Sequence, residues 1–330
     1  MTSPIASPVC DLRFDSINHQ AVLIAPRRAK RPHATGAYQC PGCIPAQTPP
    51  AVYVYPEDAE PDGDSWDIRV VPNKFSCFSD FGQNLRYESS AGFNGIHDPA
   101  GRCEVVFETR RHTYPVFART SEEIQHCFRA LVSRYQCARS DPRAKYWFAF
   151  KNMGTVAGGT LDHEHFQLYT LPLIPPSIQE RYARAAEHFN RSGENLYRRV
   201  LEDEAAGDRV VAVTEHFLTW VPFAARVPYE ICIAPRRISA DFSTMTDDEL
   251  LEFSTSFREA ISRLNTVHPE LAFNVMLHTA AFEHASAPWY CWHLSILPRL
   301  TTLAGVELGI NIMVNPVNPE EAASTLRGIH

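Results

Sequence analysis

The chain has 330 residues, of which 45% are hydrophobic, 21% charged and 11% aromatic, which excludes a disordered or fibrous protein and allows one large core or two modest ones. A formal net charge of −7 and a pI near 6.1 exclude a general affinity for nucleic acid, so any phosphate handled here must meet a local basic site. The first twenty residues hold no signal-like apolar core and no run of ~18 apolar residues occurs anywhere, so no membrane partner is expected and the expected location is cytoplasmic.

In chain order, the first chemical signal is Cys40-Pro41-Gly42-Cys43. A C-x-x-C on a Pro-Gly turn is a metal knuckle or a redox pair. The redox reading wants a helix directly after it, and Ile44-Pro45-Ala46-Gln47-Thr48-Pro49-Pro50 is a poor helix former, so zinc gains over redox although two of four ligands are missing. The other seven of the nine cysteines (Cys10, Cys77, Cys103, Cys127, Cys137, Cys232, Cys291) are scattered singly, as small core residues in a reducing compartment are.

From Glu104 onward the chain repeats itself. A strand running from Glu104 to His112 and ending in Arg110-Arg111 has the outline of Glu230 to Ile238, with Arg236-Arg237, at an offset of 126 residues. Eight residues after each strand comes a capping box, Thr120-x-x-Glu123 and Thr246-x-x-Glu249, at the same offset. The helices they start carry apolar faces, Ile124, Phe128, Leu131, Val132 and Tyr135 in one and Leu250, Phe253, Phe257, Ile261 and Leu264 in the other. Buried strands follow (147–150 and 273–276), and Leu171-Pro172 and Leu297-Pro298 close the register. The expected fold class is therefore α+β, with two tandem units, each an antiparallel sheet with a crossing helix, over 1–174 and 208–330, joined by a helical linker over 175–207.

Inside the first copy, His163-Glu164-His165-Phe166-Gln167 alternates two imidazoles and a carboxamide at the spacing that sends all three to one face of a strand. One imidazole is placed to attack an electrophile while its neighbour binds a metal or fixes a tautomer; the bland alternative is a polar strand edge. The run Asn152-Met153-Gly154-Thr155-Val156-Ala157-Gly158-Gly159-Thr160 just before it supplies small residues and backbone N–H groups, as a phosphate cradle needs. At the repeat register the second copy has Trp289, Cys291 and His293 instead of the triplet, so one chemical centre per chain is expected.

Taken together and in this order, the arginine segment Arg27-Arg28-Ala29-Lys30-Arg31, the C-x-x-C, Val70-Val71-Pro72-Asn73-Lys74-Phe75, the Asn152–Gln167 block and Leu297 to Gly309 resemble the galactose-1-phosphate uridylyltransferase family of the histidine-triad superfamily. The resemblance implies a nucleotidyltransferase of galactose metabolism, working by double displacement. His165 would be the nucleophile that stores the nucleotide as a phosphoramidate, and Gln167 would touch a phosphate oxygen. It further implies nucleotide contacts from Arg28, Arg31, Asn73, Asn152, Gly158, Gly159 and Thr160, a sugar contact from Glu307, and a Zn2+ held by Cys40, Cys43, His112 and His163. The implied partners are a nucleotide substrate such as a UDP-hexose and a phosphorylated acceptor, with a homodimer completing each sugar site.

Departures bear on the same expectations. Glu164 and Phe166 replace residues that are commonly small or proline, giving either altered packing beneath the site or a reshaped pocket. A second metal site of some relatives would use His278 and His293, but Ser295 and Arg181 stand where a further histidine and an acid are needed. Val306 and Met313 replace an aromatic and a glutamine on the sugar side. The alternatives that stay open are a phosphorylase of the same superfamily acting on an adenosine nucleotide sugar or dinucleotide, a hydrolase, and a non-catalytic nucleotide-binding scaffold.

Overall fold

Two helix starts set the back of the fold. At each, a threonine hydroxyl accepts the amide of a glutamate three residues on, while that glutamate's carboxylate accepts the threonine amide: Thr120 with Glu123, and Thr246 with Glu249. The helices they cap, Ser121–Arg139 and Asp247–Val267, pack against each other through their apolar faces, with the Phe128 and Phe253 rings 4.7 Å apart. Burying each such ring contributes about 1.5–3 kcal/mol.

The structure is a computed structural model and describes residues 10–15, 20–26, 40–81, 87–90 and 94–329. Arg28 and Arg31 lie outside the described residues. In chain order the strands are β1 (Asp11–Phe14), β2 (Ala21–Ile24), β3 (Tyr53–Tyr55), β4 (Ile68–Pro72), β5 (Tyr87–Ser90), β6 (Asn94–His97), β7 (Arg102–Phe107), β8 (Tyr146–Met153), β9 (His165–Leu171), β10 (Val210–Val213), β11 (Phe217–Trp220), β12 (Ile231–Pro235), β13 (Phe273–His278) and β14 (His293–Pro298). The helices are α1 (Ser121–Arg139), α2 (Pro176–Ser192), α3 (Leu196–Ala205), α4 (Asp247–Val267), α5 (Gly305–Ile310) and α6 (Pro319–Arg327).

The fold is mixed α and antiparallel β. The first-half strands β3, β4, β7, β9 and β8 pair in that spatial order, and β8 then pairs with β13, continuing through β14, β12, β11 and β10 into one ten-stranded antiparallel sheet. The joining register, Asn152 opposite Asn274 and Phe150 opposite Met276, sets the strands of both halves side by side. A smaller sheet has the order β2-β1-β6-β5. Val106, Phe166, Leu168, Ala149, Val275, Leu277, Leu294 and Ile233 point from the large sheet toward α1 and α4 and form the main core with them. Helices α2 and α3 fill the stretch expected to be a helical linker.

Among the boundaries that differ from the sequence reading, two shape the site. The strand expected to run to His112 ends at Phe107, and residues 109–113 turn away, which frees the Thr109 carbonyl and the His112 ring for the site below. Strand β9 begins at His165, leaving His163 in the bend before it. Of the single cysteines, Cys77, Cys103, Cys127, Cys232 and Cys291 are buried as expected, but Cys137 is exposed on α1.

Candidate active site

Three adjacent strands fix the site. Register pairs His165 with Phe107 of β7, and Gln167 with Val105 of β7 and Phe150 of β8, so these residues share one face of the sheet. His163 and His165 both lie against the Phe107 ring, at 5.5 and 6.4 Å between centroids. His165 is buried, and its Nδ1 sits 2.8 Å from the His163 carbonyl oxygen. A carbonyl only accepts, so Nδ1 carries the proton and donates it, which puts the imidazole lone pair on Nε2. That tautomer is the one a nitrogen nucleophile needs, with the nonreacting nitrogen already hydrogen-bonded.

In front of His165 is a cavity of about 170 Å³, lined by Pro41, Thr48, Val71, Asn73, Phe75 and Phe107 among others, mostly apolar with a few polar groups. Asn73 is thus brought to the same cavity as His165, its side chain accepting from the Phe75 amide (2.9 Å) and donating to Cys103 Sγ (3.3 Å). Asn152 lies one residue beyond the Lys151–Phe166 pair, hence alongside His165, and its Oδ1 accepts from Asn274 Nδ2 at 2.8 Å. Gln167 Oε1 and Thr160 Oγ1 are buried with no protein partner among the described residues, a cost of about 1–3 kcal/mol each; the amide oxygen is open to a donor such as water, and the hydroxyl can donate to an anionic oxygen.

The glycine run behaves differently from the expected cradle. Gly158 turns the chain with φ +83°, and a Cβ on Gly159 would come within 2.9 Å of the Gly154 carbonyl oxygen. Their amides donate to Thr155 O and Gly154 O, so the loop satisfies its own donors, and Gly158 and Gly159 shape the turn rather than offer those N–H groups to a ligand. Glu307 is not brought to His165 within the chain. Its carboxylate accepts the Ala304 amide at 2.9 Å and caps α5 at the surface.

The proposed metal ligands do converge. The Sγ atoms of Cys40 and Cys43 and ring nitrogens of His112 and His163 all lie within 4.8 Å of one another. His163 Nδ1 is 3.6 Å from Cys40 Sγ and 3.5 Å from Cys43 Sγ, and His112 Nδ1 is 3.3 Å from Cys43 Sγ. A tetrahedral ion with ~2.3 Å bonds to sulfur and ~2.0 Å bonds to nitrogen has N···S edges of about 3.5 Å. His163 Nε2 donates to Thr109 O at 2.6 Å, the outer bond that turns Nδ1 toward the cluster. Burial pushes the His163 imidazole down to about 4 and so keeps it neutral, while burial and the neighbouring Cys40 push the Cys43 thiol up to about 11. Two thiols this close ionise together only around a cation, which these donors fit. After Cys43 comes one 3-10 turn, Pro45–Gln47, and no α-helix, as the zinc reading required. Gly42 completes the knuckle, since a Cβ there would sit 2.7 Å from Phe107 and 2.8 Å from His163 Nδ1. Gly42→Ala is therefore expected to cost about 1–3 kcal/mol and lower metal content; thermal melting with metal analysis checks both.

The sequence reading did not foresee a charged quartet on the opposite face of the same strands. Glu108, Arg119, Lys151 and Glu164 are all buried. Lys151 donates to Glu108 at 2.8 Å and to Glu164; Arg119 donates to Glu108 at 2.9 Å and to Glu164 at 3.1 Å; and the Val116 amide donates to Glu164 at 3.3 Å. Burial alone would raise the Glu108 carboxyl, yet Lys151 and Arg119 hold it below its ordinary value. Glu164 thus belongs to altered packing beneath the site, not to the pocket. The available signal was a lone lysine directly after the apolar run Tyr146 to Phe150 and a glutamate in the motif, of opposite sign.

In the second half, Arg181 donates to His278 Nδ1 at 3.3 Å and His278 stacks on His293 at 4.9 Å, so a guanidinium already takes the lone pair a second metal would need. No helix among the described residues is long and apolar enough to cross a membrane.

Comparison with known proteins matches residues 6–175 to the family model of galactose-1-phosphate uridyl transferase, N-terminal domain. The chain is 27% identical to ADP-glucose phosphorylase of Arabidopsis thaliana, over 97% of this chain and 93% of that one. It is 26% identical to galactose-1-phosphate uridylyltransferase of Thermotoga maritima, over 96% and 98%. Among solved structures, a uridylyltransferase superposes with a TM-score of 0.82 at 24% identity, over 96% of this chain and 97% of that one. The Arabidopsis thaliana ADP-glucose phosphorylase with bound ADP-glucose superposes with 0.78 at 26% identity, over 97% and 99%.

Proposed function

This chain belongs to the galactose-1-phosphate uridyl transferase family, a family of nucleotidyltransferases, and from that premise we propose that it transfers a nucleoside monophosphate through a covalent intermediate on His165. The observation that carries the reading is the His165 Nδ1 to His163 carbonyl hydrogen bond, which sets the lone pair on Nε2 at a cavity shared with Asn73. Nε2 attacks the α-phosphorus of a nucleoside diphosphate sugar, the bond to the bridging oxygen breaks, and a sugar 1-phosphate leaves with that electron pair. The phosphate oxygen of a second acceptor then attacks the phosphoramidate, and the P–N electron pair returns to Nε2. Gln167 and Thr160 hold phosphate oxygens, Asn73 and Asn152 the nucleotide, and Arg28 and Arg31 supply the positive charge that a chain of net charge −7 must gather locally. Cys40, Cys43, His112 and His163 hold a structural Zn2+ that anchors the start of β9. We read 1–174 and 208–330 as two units with 175–207 between them, in a cytoplasmic enzyme.

We further read the active form as a homodimer. Leu300, Leu303, Val306, Leu308, Ile310, Ile312 and Val314 are all exposed within one short segment that also carries Glu307. A monomer rarely leaves so continuous an apolar strip in water, and a partner covering it would bring Glu307 toward a sugar site.

UDP-hexose with hexose 1-phosphate is the first substrate assignment. The phosphorylase reading is kept because one relative is an ADP-glucose phosphorylase and because Val306 and Met313 depart on the sugar side. Intact mass after incubation with UDP-glucose and, separately, ADP-glucose is expected to show one adduct of nucleotide mass, and its identity names the base. No adduct with either would overturn the reading. We also expect weak discrimination between galactose 1-phosphate and glucose 1-phosphate, because missing hydroxyl partners remove the penalty that rejects an epimer. A ratio of kcat/KM values above ~100-fold, about 2.7 kcal/mol, would contradict this, and phosphate as the best acceptor would select the phosphorylase.

A further inference from the structure

We propose that Glu164 is a positioning residue for the nucleophile. With Glu108, Arg119 and Lys151 it clamps the two backbone carbonyls that orient the paired imidazoles. The inference rests on the nucleotidyl-transfer reading, which makes the His165 tautomer matter.

Each imidazole is aimed by one carbonyl. His163 Nε2 donates to Thr109 O at 2.6 Å, and His165 Nδ1 donates to His163 O at 2.8 Å. Both acceptors adjoin a quartet acid, since Thr109 follows Glu108 and the His163 carbonyl lies in the peptide joined to Glu164. The Glu108 amide also donates to the Glu164 carbonyl at 3.5 Å, so the two acids are linked through backbone as well as through Lys151 and Arg119. Lys151 comes from β8, Glu108 follows β7, Glu164 precedes β9 and Arg119 ends the turn after Val116–Ala118, so one charge cluster staples four segments behind the nucleophile.

Packing alone does not close around Glu164. A cavity of about 280 Å³ lined by Val116, Gly154, Glu164, Leu264 and Phe273 lies behind this peptide. Nor does stability account for the quartet, because buried ion clusters are commonly no more stable than apolar side chains of equal volume. What directional hydrogen bonds between charged groups add is fixed geometry.

The test compares the full-length protein with Glu164→Gln and with the paired Lys151→Met, Glu164→Gln variant, in which Glu108 and Arg119 still balance. Four quantities are read: single-turnover nucleotidylation by UDP-glucose and by ADP-glucose, KM, zinc content, and the protonated nitrogen of His165 by 15N NMR. Glu164→Gln is expected to slow nucleotidylation about 10–100-fold with KM and zinc little changed, the range seen when an outer-sphere partner is lost. The His165 signal should shift from a single Nδ1–H form to a mixture. The paired variant should recover melting temperature but not rate. Recovery of the wild-type rate in the paired variant, or a loss in Glu164→Gln that merely tracks zinc loss, overturns the proposal. If the wild type forms no adduct, the transfer reading fails by itself, and an unchanged Nδ1–H signal in Glu164→Gln overturns the positioning role separately.

Discussion

His165→Ala is expected to lower turnover by about 10⁴-fold or more while the protein stays folded and keeps its metal. The size follows from the chemistry, because removing a covalent nucleophile removes the intermediate and not merely a stabilising contact. That folding survives follows from the position. His165 opens β9, and its ring donates to its own local chain at His163 O rather than tying distant segments together through that bond. The ring is no metal ligand, so the Cys40, Cys43, His112 and His163 cluster is left whole. Steady-state rates with nucleotide sugar and a sugar 1-phosphate, alongside melting curves and metal content, check the three parts together. Residual activity above a few per cent, or an adduct mapped to another residue, would remove His165 from the mechanism. His163→Ala serves as the contrast, since it should lose metal, stability and rate at once.

Features that depend on side-chain periodicity or a spaced motif were legible in the sequence. The two capping boxes start their helices at Ser121 and Asp247, and the alternation of His165 and Gln167 does put both on the Phe107 face. The four candidate metal ligands were named through the resemblance, and their side chains meet because the chain turns after Phe107. That turn itself was not legible, since Thr109-Arg110-Arg111 carries no glycine or proline to mark it. The quartet escaped because a buried charge is recognised by its partner, and Glu108, Arg119, Lys151 and Glu164 come from four separate segments. The glycine run misled in the opposite way. Small residues allow a phosphate cradle and also allow a self-bonded turn, and only the hydrogen bonds of Gly158 and Gly159 decide between them.

Removing zinc, by Cys43→Ser or by chelation, is expected to lower the melting temperature by roughly 5–10 °C and to suppress activity together with it. Four side chains from three distant parts of the sequence meet at this cluster, and without the ion the paired thiols and imidazoles hold little attraction for one another. The loss then passes to the nucleophile by a short route. His163 Nδ1 faces the two cysteine sulfurs where the ion would sit, and its own carbonyl holds the His165 Nδ1–H at 2.8 Å, so a His163 that shifts alters the tautomer two residues on. The pH dependence has a definite sign. Binding zinc displaces the proton of Cys43, whose thiol burial and Cys40 push up to about 11, so affinity falls as pH falls and chelators should strip the ion faster at pH 6 than at pH 8. Cys137→Ser, at an exposed position on α1, should leave metal, melting temperature and rate unchanged. Fully active protein containing no zinc, or a Cys40 to Cys43 disulfide in protein prepared under reducing conditions, would contradict the assignment and return the C-x-x-C to the redox reading.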